Sequence, residues 1–136
     1  MKVIVDTGVW SLALRKANVR HDPFVAELEE LLKEGRVQMI GPIRQEILSG
    51  VRSEKQFEML RDRLRAFPDL ILKASDYETA AEFYNQCREK GVQGSNTDYL
   101  ICALSVRHKM SILTLDKDFE HYRDILAVTI HRPRSR

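Results

Sequence analysis

The sequence predicts a single α/β domain with a mainly parallel central sheet of about five strands, flanked by helices. Three observations carry that prediction. Short aliphatic, β-branched runs recur along the chain, as in Val3-Ile4-Val5 and Ile112-Leu113-Thr114-Leu115. Between them lie longer stretches with helical spacing of apolar residues, bounded by capping signals. The 136 residues suit one domain with a real core, and no repeat, linker or low-complexity stretch divides them. Strands alternating with helices imply βαβ units. Their right-handed crossovers place every strand C-terminus on one edge of the sheet.

The elements follow in order. Residues 2–5 read as a buried strand, Thr7-Gly8 turns the chain, and a helix begins over 9–16. Asp22-Pro23 opens the next helix, with Asp as cap and Pro at the first helical position. Phe24, Leu28, Leu31 and Leu32 form its stripe, and Gly35 ends it. A strand is predicted over 36–40 and a helix from Gly41-Pro42 to about Val51. Ser53 and Gln56 have capping-box spacing before a helix that uses Phe57, Leu60, Leu64 and Phe67 and stops at Pro68. A short strand is expected over 70–72, then a second capping box, Ser75 with Glu78, opening a helix to about Lys90. Residues 97–108 are the most apolar helix, with Leu100, Ile101, Ala103, Leu104 and Val106 covering much of its circumference, so burial is expected. A strand over 111–115, a short helix over 119–125 and a strand over 127–131 complete the domain. The domain is drawn at 1–132, leaving 133–136 as a basic tail.

Hydrophobic residues make up 43% and charged residues 31%, an ordinary globular balance. A formal charge of +2 permits nucleic-acid binding without arguing for it. Arg52, Lys55, Arg61, Arg63 and Arg65 cluster in one segment, which on charge alone reads as a solvated helix face. Cys87 and Cys102 share no metal-ligand spacing and read as reduced, buried thiols. The chain starts directly with a strand and has no membrane-length apolar run, so a cytoplasmic protein is expected.

Four carboxylates carry the chemistry: Asp6, Glu46, Asp98 and Asp116. Asp6 and Asp116 follow strands; Glu46 and Asp98 lie early in helices. Asp6 directly follows a buried strand with no nearby cation in sequence and is hard to explain otherwise, but alone each of the other three has a simpler explanation. Asp98 suits a helix dipole, Asp116 a turn, and Glu46 a solvated helix surface. Together they fall where a parallel sheet gathers strand C-termini and helix N-termini, the edge at which such sheets bind ligands. Acids crowded there repel one another, and a hard divalent cation resolves the conflict. Mg²⁺ or Mn²⁺ is the expected cofactor, with Asp6 and Asp98 as direct ligands and Glu46 and Asp116 direct or acting through water. Thr7, Asn96, Thr114 and Ser95 are candidates to orient ligands or water. Other chemistries lack their signatures. There is no phosphate-binding G-x-x-x-x-G-K-[ST] loop, no strand-linked G-x-G-x-x-G and no G-x-S-x-G elbow. His21, His108, His121 and His131 have no paired zinc spacing and read as surface or structural, and Trp10, Tyr77, Tyr84 and Tyr99 as packing rather than base-stacking residues. A phosphoacceptor receiver domain finds no convincing match.

At these residues the chain resembles the PIN-domain family of VapC-type toxins over nearly its whole length. Val3-Ile4-Val5-Asp6-Thr7 resembles the family's first motif, and Pro42-Ile43-Arg44-Gln45-Glu46-Ile47-Leu48-Ser49-Gly50 its second. Thr97-Asp98-Tyr99-Leu100-Ile101-Cys102-Ala103 resembles the third, and Leu113-Thr114-Leu115-Asp116-Lys117-Asp118-Phe119 the fourth. The resemblance implies that Asp6, Glu46, Asp98 and Asp116 are the metal-binding catalytic set of a Mg²⁺- or Mn²⁺-dependent endoribonuclease. It implies a structured RNA substrate such as transfer or ribosomal RNA, a VapB-like antitoxin and a homodimer. Asp118 is a further acid with a helix-capping alternative, and Gly8 stands where the family often has Ser or Asn. A PIN nuclease of RNA processing without a toxin role, and a non-catalytic RNA-binding module, remain the other readings.

Overall fold

Val3, Ile4 and Val5 are wholly buried and hydrogen-bonded on both sides, so they form the centre of the sheet. A computed structural model of the chain describes residues 1–15 and 21–134. Central strand β1 (Val3–Val5) leads into α1 (Thr7–Arg15) and α2 (Pro23–Lys33). The expected end of the first helix at Lys16 lies outside the described residues. Asp22 caps α2 as expected, its carboxylate accepting from the Phe24 and Val25 amides at 2.8 and 3.2 Å. Gly35 then takes a left-handed φ of 65°, turning the chain into β2 (Val37–Gln38). Helices α3 (Gly41–Leu48), α4 (Glu54–Leu64), α5 (Ala74–Glu89) and α6 (Asn96–His108) follow, then β3 (Ser111–Leu113), α7 (Asp118–Ile125) and β4 (Thr129–Ile130).

The sheet is wholly parallel, in the order β2-β1-β3-β4. Its strand residues Val3, Ile4, Val5, Ile112 and Leu113 are all 0% exposed, which requires helices on both faces. Helix α6 meets the expectation of burial: every residue from Tyr99 to Ser105 is buried. It packs along α5, while α1 packs against α2 and α3. Among the described helices none is long and apolar enough to cross a membrane.

Two local expectations change. The strand expected over 70–72 reduces to a single parallel bridge, Met39 with Asp69, in which the Leu70 amide donates to the Met39 carbonyl at 2.9 Å. Strand β2 is only two residues long and α3 starts at Gly41, so the edge offers no further ladder, and Ile71 is 83% exposed. The capping box expected at Ser75 and Glu78 sits elsewhere. Helix α5 starts at Ala74, and Asp76 accepts from the Lys73 amide at 2.9 Å. Ser75 instead accepts from Arg107 at 2.7 Å.

The C-terminal segment is tied down by charge. The His131 amide extends the sheet by donating to the Ile112 carbonyl at 2.8 Å. Arg134 pairs with Glu27 and Glu34, each at 2.8 Å, and Arg132 with Glu120. Of the expected basic tail, residues 135–136 lie outside the described residues.

Candidate active site

Parallel register builds the first half of the site. Val5 pairs with Leu113, so the residues that follow them, Asp6 and Thr114, meet across the sheet edge. The Asp6 amide donates to the Leu113 carbonyl at 2.9 Å, and the Thr114 hydroxyl donates to Asp6 Oδ2 at 2.8 Å. Asp6 Oδ1 accepts from the Thr7 amide, also at 2.8 Å. Thr7 opens α1 and its hydroxyl reaches Glu46 Oε1 on α3 at 2.5 Å. One threonine therefore holds two of the acids, and Thr7 and Thr114, two of the four candidates for orienting ligands or water, both hydrogen-bond to acids of the set.

Helix α6 brings the third acid. Helices that precede a parallel strand run antiparallel to it, so the N-terminus of α6 lies at the strand C-terminal edge. Ser95 caps that helix through the Asp98 amide at 3.0 Å. Asn96, another of the candidates, is exposed and lines a cleft between α5 and α6 with Tyr77 and Thr97. Asp98 Oδ2 instead accepts from the Tyr122 hydroxyl at 2.8 Å. Asp116 follows β3; its amide donates to the Thr114 hydroxyl at 3.0 Å, and its Oδ1 accepts from the Asp118 amide at 2.9 Å. Asp118 thus enters the site through its backbone, in the first turn of α7. At Gly8 an added Cβ would meet nothing closer than Leu115 at 3.8 Å, so glycine here is not demanded by space.

Electrostatics link the four. Burial raises the Asp6 carboxyl above the ordinary range, and repulsion from Asp98 and Glu46 adds to it, against hydrogen bonds from Thr114 and Thr7. Burial also raises Asp98, with repulsion from Asp116, against hydrogen bonds from Tyr122 and Ser95. Among the described residues none of the four makes an ion pair; each is oriented by neutral donors. No three described His, Cys, Asp or Glu side chains close into a ready-made cation cage. An all-oxygen, open set without a cationic partner fits Mg²⁺ or Mn²⁺, since Mg²⁺ keeps several waters and takes few carboxylates directly.

This fold and motif order coincide with a known family: a family model of the PIN domain matches residues 3–125. The chain belongs to the PIN family. VapC ribonuclease Mb1587 of Mycobacterium bovis is 32% identical over 122 residues, covering 87% of this chain and 89% of the relative. Ribonuclease VapC11 of Mycobacterium tuberculosis matches with the same figures. Among solved structures, FitAcB from Neisseria gonorrhoeae shares the fold with a TM-score of 0.77 and 21% identity, over 96% of this chain and 97% of that one. VapBC2 from Rickettsia felis, bound to a DNA fragment from its promoter, gives a TM-score of 0.77 at 19% identity, over 96% and 98%.

One contact of this PIN site has no counterpart in the sequence reading. Tyr122 lies 24 residues beyond Asp98, and its place after Phe119 marks it only as apolar packing in a short helix. Nothing in that spacing points to a carboxylate partner.

Proposed function

We propose that this PIN protein is a Mg²⁺- or Mn²⁺-dependent endoribonuclease that acts as the toxin of a toxin–antitoxin pair in the cytoplasm. The observation that carries the reading is the four-carboxylate edge, oriented by neutral hydrogen bonds and without a cationic side chain paired to it among the described residues. The names of the VapC relatives support ribonuclease activity, and the VapBC2 assembly supports an antitoxin partner.

Asp6 and Asp98 would hold the ion directly, with Glu46 and Asp116 acting directly or through its waters. When bound, such an ion supplies an activated water and offsets charge on the reacting phosphate. The chain's own work is placement. Thr114 and the Thr7 amide fix both oxygens of Asp6, and the Thr7 hydroxyl ties Glu46 to the same point. His108 and His131 are committed to Asp76 and Glu27, so neither is positioned as a proton acceptor here. The substrate would be a structured RNA, such as transfer or ribosomal RNA, and the working form a homodimer. A VapB-like antitoxin would seat in a groove of about 340 Å³ beside α4, where Leu14, Val51, Met59 and Leu60 give apolar surface beside Arg52 and Arg63.

The test is cleavage of purified RNA with Mg²⁺ or Mn²⁺ titrated against a chelator, for the native protein and for Asp98→Asn. Cleavage is expected to require the ion and to fall to background in folded Asp98→Asn protein. Cleavage that persists in excess chelator would remove the metal from the reading. Cleavage that survives Asp98→Asn would remove the site.

A further inference from the structure

Tyr122 is wholly buried, yet it carries a polar group that the core does not need. Its ring packs against Tyr99 and Phe119, with centroids 5.1 and 5.0 Å away, and phenylalanine would fill the same space. What the hydroxyl adds is a 2.8 Å bond to Asp98 Oδ2. The surroundings are shaped to seat that hydroxyl. A Cβ added at Gly94 would lie 2.2 Å from the Tyr122 oxygen and 2.8 Å from its Cζ, so only glycine lets the loop before α6 close over it. Ring packing fixes the donor, and the planar carboxylate is then fixed as a unit: setting Oδ2 sets the direction of Oδ1.

We propose that Tyr122 is a positioning residue of the acidic site, its hydroxyl orienting the Asp98 carboxylate toward a divalent cation and Gly94 providing the gap that seats it. This rests on the reading of the four carboxylates as a metal site. Partners that hold a metal ligand in this way typically change metal affinity by about 10- to 100-fold when removed. The role differs from simple packing, because Tyr122→Phe keeps the ring and removes only the donor.

The experiment is Mn²⁺ titration of the full chain, read by the electron paramagnetic resonance of free Mn²⁺, for native protein, Tyr122→Phe, Gly94→Ala and Asp98→Asn. Folding of each variant is checked by circular dichroism. Tyr122→Phe is expected to bind Mn²⁺ about 10-fold more weakly. Its RNA cleavage should saturate at correspondingly higher Mn²⁺ while the rate at saturation changes little. Gly94→Ala, which keeps the hydroxyl but displaces it, is expected to weaken binding in the same direction. Unchanged Mn²⁺ affinity in folded Tyr122→Phe or in folded Gly94→Ala overturns the proposal. If native protein binds Mn²⁺, Asp98→Asn loses it and Tyr122→Phe does not, only the positioning role falls. If native protein takes up no Mn²⁺, the metal site and this role fall together.

Discussion

Two sets of buried acids in this molecule are held in opposite ways. Asp76 and Glu27 are fully buried, and each is held by an arginine and a histidine. Asp76 accepts from Arg107 at 2.8 Å and from His108 at 3.1 Å; Glu27 accepts from His131 at 2.6 Å and Arg134 at 2.8 Å. Asp6 and Asp98 are half-buried and, among the described residues, meet only threonine, tyrosine, serine and backbone donors. Burial acts upward on all four. In Glu27 and Asp76 the hydrogen bonds and charges of their partners outweigh it and hold the carboxyls below the ordinary range. In Asp6 and Asp98 nothing outweighs it, and the other acids push further. Compensation by a side chain marks an acid that serves the fold. On the proposed function, an acid left uncompensated is one the fold holds ready for a cation from outside.

The largest expected effect falls on the compensated set. Asp76→Ala removes the acceptor of the Lys73 amide and leaves Arg107 and His108 without their shared partner, so it should cost about 3 kcal/mol. Chemical denaturation measures it, and RNA cleavage per folded molecule should be retained. The loss should also depend on pH. Asp76 is held below its ordinary value, so its contribution is present at neutral pH and disappears as pH falls through the folded-state value. Native and variant proteins should therefore converge in stability in acid. A gap that stays constant down through the carboxylate range would mean that charge pairing is not what Asp76 contributes.

How much of this was visible in the sequence depends on the distance over which each feature acts. Asp6, Asp98 and Asp116 were legible because each sits at an element end that parallel topology collects, whereas Glu46, expected early in its helix, lies in the last turn of α3 and joins them through the Thr7 hydroxyl. Thr7 and Thr114 were legible for the same reason, lying one residue from Asp6 and two from Asp116. The compensated pairs were not. Glu27 sits beside the apolar stripe of α2 with partners more than 100 residues away, and Asp76 finds Arg107 and His108 across the α5–α6 packing. Tyr122 escaped for that reason too, and the short strand at 70–72 failed because its partner β2 ends after two residues. Local patterning specifies elements and their ends; it does not specify which side chains meet once helices pack.

A smaller effect of opposite sign is expected in the uncompensated set. Asp6 is raised, so in metal-free protein it takes up a proton before the unfolded chain does. Its ionisation then costs stability as pH climbs through that range. Asp6→Asn removes the charge and keeps an acceptor for the Thr7 amide, so the metal-free variant should be more stable at neutral pH by on the order of 1 kcal/mol. Added Mn²⁺ should raise the melting temperature of the native protein and leave the variant unmoved. Thermal melts with and without Mn²⁺ decide it. If Asp6→Asn proves as damaging as Asp76→Ala, the two sets are held alike and the contrast collapses.

The smallest effect tests whether compensation matters for a neutral group as well. Ser111 opens β3, is 3% exposed, and its hydroxyl has no hydrogen-bond partner among the described residues. A buried hydroxyl without a partner carries a desolvation penalty that no contact offsets. Ser111→Ala removes the oxygen and leaves the backbone free to keep its pairing with Val3 and Thr129. Stability should therefore be unchanged or rise by up to about 1 kcal/mol, measured by denaturant midpoint. Ser105 is the internal control, since its hydroxyl donates to the Met110 carbonyl at 2.6 Å in the same turn that feeds β3. Ser105→Ala should cost about 1 kcal/mol where Ser111→Ala costs nothing. Two buried serines six residues apart, one partnered and one not, then repeat with neutral groups the distinction that separates Asp76 from Asp6. Equal losses at the two serines would confine that distinction to charged groups.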